Sequence, residues 1–140
     1  IAHNDTCSIG RQEDWNSHAM EHEISAEYDV THGAGLAVVF PAFLDYAADH
    51  NPHKVAQLGY RVLGIENTGN LSADAHKAAS ALRTWLHDVL DMPVTFSQLG
   101  VPNPDLELLN TRLHKLKGEI TQGYMQLDYN ATMEIYKKAL

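Results

Sequence analysis

Apolar residues recur at steps of three and four along most of the chain, and no stretch alternates apolar with polar long enough to read as a strand. Leu36, Val39, Phe40 and Phe43 set the stripe of a helix from His32 to Asp49, in which Pro41 removes one internal hydrogen bond and kinks or offsets the axis. Asn51-Pro52 restarts the chain in helical form, with Val55, Leu58, Val62 and Ile65 on one face. After a polar turn at Asn67 to Asn70, Ala75, Ala79, Leu82, Leu86 and Val89 mark a long helix from Ser72 to Leu90, which Met92-Pro93 ends. Val94 to Asn103 reads as loop with a short docked turn around Phe96 and Leu99. Leu106, Leu109, Leu113 and Leu116 then stripe a helix from Pro104 to Lys117. Gly118 to Leu127 is irregular, and Asp128 or Asn130 caps a last helix reaching Ala139. At the other end, residues 1–9 read as a helix tail stopping at Gly10, and Asp14 caps a helix from Trp15 to Tyr28. The expected fold is all-α, a multi-helix bundle forming one domain over residues 1–140.

Charge and composition narrow the partners. The formal net charge is −8, from ten Lys and Arg against eighteen Asp and Glu, and this repels phosphate backbones and anionic bilayers. Nucleic acid and membrane are therefore excluded as expected partners. The longest uncharged apolar run, Gly33 to Leu44, is shorter than the ~18 residues of a membrane span. A single cysteine, Cys7, cannot close an internal disulfide, which favours a cytoplasmic setting. The start, Ile1-Ala2-His3-Asn4, reads as lying inside an element of something longer.

The candidate chemistry lies where the Trp15 helix meets the next one. His18 and His22 are four residues apart, so they leave one helix face a turn apart, and His32 opens the following helix after a short break. Three imidazoles can therefore meet at one spot. Three readings compete. His18-Ala19-Met20-Glu21-His22 matches H-x-x-E-H, the inverted zinc-peptidase signature, with two His on zinc and Glu21 activating water. A second reading gives His18 and His32 one metal, with His22 beside it as a polar relay. A third takes the rings as surface groups of a non-catalytic interaction domain. Glu21, Glu23 and Asp29 read as exposed helix-face carboxylates, with an imidazole-orienting role as the alternative. His50 and His53 flank a helix junction and read as surface residues, as do His3, His76, His87 and His114. Gly33-x-Gly35 lacks the leading strand and third glycine of a dinucleotide fingerprint and reads as a packing pair between helices.

The run W-N-S-H-A-M-E-H-E-I-S-A-E-Y-D-V-T-H-G-A-G-L-A-V-V-F-P resembles the metal-binding signature of the iron-containing alcohol dehydrogenases, specifically the butanol dehydrogenase branch. Ala2-His3-Asn4, Met92-Pro93-Val94, Leu127-Asp128-Tyr129 and Ile135-Tyr136-Lys137 extend the resemblance over essentially the whole chain. It implies the helical C-terminal domain of that family, which has the dehydroquinate synthase-like fold. It also implies NADH- or NADPH-linked interconversion of aldehydes and primary alcohols. By the same resemblance, His18 and His32 are two of the protein ligands to Fe2+, which Zn2+ can replace, and His22 lies near substrate and nicotinamide as a positioning or proton-relay residue. Two further ligands, an Asp and a His four residues after it, would precede residue 1. So would the N-terminal dinucleotide-binding domain, the main holder of the NAD(P)H. The chain alone is thus expected to lack turnover, and relatives imply a homodimer.

Overall fold

The computed structural model describes residues 6, 8–10 and 12–140. Six helices follow one another: α1 (Asn16–Tyr28), α2 (His32–His50), α3 (His53–Val62), α4 (Leu71–Asp88), α5 (Leu106–Lys117) and α6 (Tyr129–Lys138). Among the described residues the only extended pairing is an isolated antiparallel bridge between Thr121 and Leu127. The all-α expectation holds. Of the helix tail expected over residues 1–9, Thr6, Ser8 and Ile9 lie in turns, and the rest, His3 included, lies outside the described residues.

Local chemistry explains where the helices start and stop. Asp14 Oδ1 accepts from the Asn16 amide at 2.9 Å, so a carboxylate supports the first turn of α1 as its position suggested. Asn70, Asp105 and Asp128 accept amide hydrogens of Ala73, Leu108 and Ala131 at the starts of α4, α5 and α6. At the end of α1, Asp29 adopts a left-handed conformation (φ 51°) while its amide closes on the Ser25 carbonyl. Aspartate tolerates that region better than most side chains. The chain reverses there within three residues, and α2 begins.

Helix α2 is the hub, packed against α1, α3, α4 and α6. Val38, Val39, Ala42 and Ala47 have no solvent exposure, and Pro41 is accommodated inside the buried part of the helix. Helix α5 ties α1 to α6, and the expected turn around Phe96 docks that ring into the core. Four positions expected on buried stripes are exposed: Phe40, in mid-helix on the wall of an apolar hollow, and three others, Val62, Val89 and Leu116. Each of these three lies in or just past the last turn of its helix, where the stripe runs beyond the neighbour that would cover it. Ile65 falls outside α3; the chain folds back so that its amide bonds the Gly59 carbonyl at 3.0 Å.

Candidate metal centre

Helix α1 departs from the usual pattern of an apolar inner stripe. Of its seven buried residues, four are polar: Asn16, Ser17, Glu21 and Glu23. Burying such groups is costly unless they are partnered, so an inner face of this kind marks a helix shaped by something besides packing. Ala19, Met20 and Ile24 supply the apolar anchor, and the buried Tyr136 hydroxyl donates to the Met20 carbonyl at 2.8 Å, tying α1 to α6.

With α1 fixed in this way and the turn at Asp29 returning the chain, three imidazoles come together. Ring centroids of His18 and His32 lie 5.1 Å apart, those of His22 and His32 5.2 Å, and those of His18 and His22 6.3 Å. The convergence expected from spacing is present. Nitrogen-to-metal bonds of about 2.0–2.1 Å put two imidazoles on one tetrahedral ion with centroids roughly 5 Å apart. The His18–His32 and His22–His32 pairs both meet that requirement, and all three rings face the same space. Trp15 packs edge-on against His18 at 4.8 Å and fixes its ring from the outer side.

Beside His18 opens an apolar hollow of about 520 Å3, walled by Leu36, Phe40, Phe43, Leu86 and Met92. Ser17 also lines it; among the described residues its hydroxyl is the one buried side-chain polar atom with no hydrogen-bond partner.

The carboxylates depart from expectation. Glu21 is fully buried rather than on an exposed face; its carboxylate accepts from the Ser25 hydroxyl and contacts Nδ1 of His32. Glu23 is buried too, and loss of solvent raises its carboxyl above the ordinary range. Asp29 is exposed, as expected. Burial of Glu21 removes the peptidase reading, because a general base must face the water it activates and this carboxylate is enclosed and already engaged. His50 and His53 are exposed, whereas His76 is held between Asp45 and Asp49, and His114 bonds the Thr132 hydroxyl and the Gly118 carbonyl. Those last two were expected to be unpartnered surface groups. Their carboxylate and hydroxyl partners lie 18 or more residues away, beyond any local spacing rule.

The glycines divide. A Cβ on Gly35 would lie 2.5 Å from Glu21 Oε1, so Gly35 allows close approach of α1 and α2, whereas nothing lies within 4 Å of a Cβ on Gly33. The packing role assigned to the pair belongs to Gly35 alone. Sequence reasoning offers Glu21 an imidazole-orienting role only as the alternative, and misses Ser25 and Gly35 as the residues that hold and accommodate it. The available signal was a glycine three residues after His32, on the side of α2 that returns toward α1.

The chain is similar to known proteins along its whole length. Residues 1–140 match the family model described as Fe-containing alcohol dehydrogenase family, C-terminal. The chain is 30% identical to NADH-dependent butanol dehydrogenase B of Clostridium acetobutylicum over 141 residues, covering 100% of this chain and 36% of that protein. It is 41% identical over 109 residues to a probable NADH-dependent butanol dehydrogenase 2 of Bacillus subtilis, covering 78% of this chain and 28% of that one. The crystal structure of NADH-dependent butanol dehydrogenase A from Thermotoga maritima superimposes with a TM-score of 0.87 at 33% identity, covering 99% of this chain and 36% of that chain. The chain therefore spans about a third of the length of the relatives it matches.

Proposed function

The chain belongs to the Fe-containing alcohol dehydrogenase family, and from that premise we propose that it is the metal-holding helical portion of a cytoplasmic NAD(P)H-linked dehydrogenase interconverting aldehydes and primary alcohols. The observation that carries the reading is the gathering of His18, His22 and His32 round one spot at the turn between α1 and α2. The donor chemistry fits: neutral imidazole suits iron(II) and zinc, and the centroid spacing of His18 and His32 suits a shared tetrahedral ion. His18 and His32 would hold the ion. When bound, it supplies Lewis-acid polarisation of the substrate oxygen while hydride passes between substrate carbon and nicotinamide.

The residues of this chain do the rest of the work assigned to it. His22, exposed on the same face one turn beyond His18, holds or passes a proton near the substrate oxygen. Trp15 keeps His18 from swinging outward. The apolar walls beside His18 exclude water from one side of the centre, which strengthens any charge interaction there. The remaining ligands and the nucleotide-binding domain are assigned to the longer polypeptide, which is also where discrimination between NADH and NADPH would reside.

The test uses the intact enzyme. Aldehyde-dependent NAD(P)H oxidation should vanish on chelation and return with Fe2+ or Zn2+. H18A and H32A should each lower both metal content and activity by more than the ~10–100-fold that loss of an outer-shell partner costs. Undiminished turnover in the metal-stripped protein, or full metal content in both variants, would overturn the reading.

A further inference from the structure

Helix α1 buries a carboxylate directly behind one of the three imidazoles, and neither the metal reading nor the family match requires it. Glu21 has no solvent exposure and engages two groups, the Ser25 hydroxyl one turn along its own helix and Nδ1 of His32 across the turn. The His32 side chain is 46% exposed, so the ring is gripped at its inner edge while its outer edge stays open. A carboxylate oxygen facing a ring nitrogen is a hydrogen-bond acceptor. The His32 proton is therefore drawn to Nδ1, and Nε2 is left with its lone pair as the donor nitrogen.

The backbone opposite has been cleared to make room. A Cβ on Gly35 would meet Glu21 Oε1 at 2.5 Å, Cγ at 2.8 Å and Cδ at 3.0 Å. Such contacts are too close for any side chain, and the carboxylate cannot swing aside without giving up both partners. Gly33, two residues earlier, has open space around it, so the requirement is specific to the residue beneath the carboxylate.

We propose that Glu21 is a positioning residue that grips His32 by Nδ1, sets its tautomer and presents Nε2, and that residue 35 is glycine because this carboxylate fills the space of its side chain. The inference rests on the metal reading above for its function but not for its geometry. Glu21 is not itself a ligand, although its carboxylate oxygen and nitrogens of His22 and His32 lie within 4.8 Å of one another. Its oxygen contacts Nδ1, so its effect on an ion at Nε2 passes through the ring.

Zn2+ titration of the metal-stripped intact enzyme, with 15N NMR of the histidines in the metal-free state, tests this. E21A should weaken Zn2+ binding about 10–100-fold at unchanged helical content. E21Q, which keeps an acceptor oxygen, should lose less than E21A. In the wild type the His32 proton should sit on Nδ1, and in E21A it should shift to Nε2. G35A should weaken Zn2+ binding by displacing the carboxylate, and the E21A/G35A double variant should be no weaker than E21A, since both substitutions remove the same contact. Should G35A fail to fold, E21A, E21Q and the NMR reading still decide. Zn2+ binding by E21A as tight as wild type, a proton that stays on Nδ1 in E21A, or E21Q as damaging as H32A would each overturn the proposal. If wild type and H32A bind Zn2+ alike, the metal reading fails instead, and the proton position on His32 alone decides whether Glu21 grips the ring.

Discussion

The two ends of α2 both bring histidine and carboxylate together, with opposite results. At its start, three rings gather and one buried carboxylate bonds a single one of them: of the imidazoles, Glu21 engages His32 through Nδ1. Near its end, one ring faces two carboxylates. His76 on α4 bonds Asp45 through Nδ1 at 2.7 Å and Asp49 through Nε2 at 2.8 Å, and Lys138 on α6 adds a bond to Asp45 at 2.8 Å. There both nitrogens are used, so no lone pair is offered to an ion. Burial works against a charged His76, but the bonds from Asp45 and Asp49 outweigh it and raise the imidazole above its ordinary value. Burial likewise opposes the Asp45 carboxylate, and its bonds to Lys138 and His76 override this and lower it. The ratio of carboxylates to imidazole nitrogens thus separates a donor cluster from a clamp, although both set imidazole against carboxylate at an end of α2.

The comparison can be broken first at His22. In the intact enzyme H22Q should lower kcat by about 100-fold, the lower end of what a proton-transfer group contributes. Metal content should stay unchanged, and H76Q should alter neither. Loss of metal in H22Q would make His22 a ligand and redraw the donor cluster. Next comes the tie between α1 and α6. The Tyr136 hydroxyl is held well above its ordinary range by burial, and so donates to Met20 throughout the accessible pH range. Y136F removes the bond between α1 and α6 while the Met20 carbonyl keeps its partner within α1, and should cost about 0.5–1.5 kcal/mol in denaturant unfolding. An unchanged midpoint would show α1 to be held by packing alone.

The smallest effect belongs to the clamp. Its groups are about one-third to one-half exposed, so H76Q should cost only about 0.2–1 kcal/mol. The sign with pH is fixed by the raised imidazole. Its contribution is full below the unfolded value near 6.5 and is lost as pH rises through the higher folded value. The stability gap between wild type and H76Q should therefore shrink from pH 6 toward more alkaline solution, roughly over the range in which histidine loses its proton. A gap that widens would mean His76 is bound neutral. Asp45, being lowered, contributes above its unfolded value of 3.8 and loses that contribution as pH falls through the folded one.

Much of this was readable in the letters, for physical reasons. Helices α2 to α5 declare themselves by apolar stripes and α6 by Asp128 at its start, because caps and stripes are local effects; Asn70 and Asp105, which cap α4 and α5, read in the sequence only as turn and helix residues. The imidazole cluster was readable because a spacing of four residues and a short reversal fix it almost without the rest of the fold. Glu21 was not. A glutamate beside a histidine on a polar helix reads as solvent-facing, and its burial depends on α2 arriving with a glycine at the point of contact. The clamp was hidden for the same reason, since His76 and Asp45 are 31 residues apart. Val62, Val89 and Leu116 mark the converse error, in which a correct period was carried past the end of its covering neighbour.

The turn at Asp29 also bears on the order in which the molecule takes shape. All three imidazoles come from the fifteen consecutive residues 18–32, whereas the clamp waits for α4 and α6. Contacts so near in sequence close early in folding, because little chain entropy is lost in making them. Closing the donor cluster therefore costs less chain entropy than closing the clamp, and an ion shared across the turn would staple together the two helices that hold it.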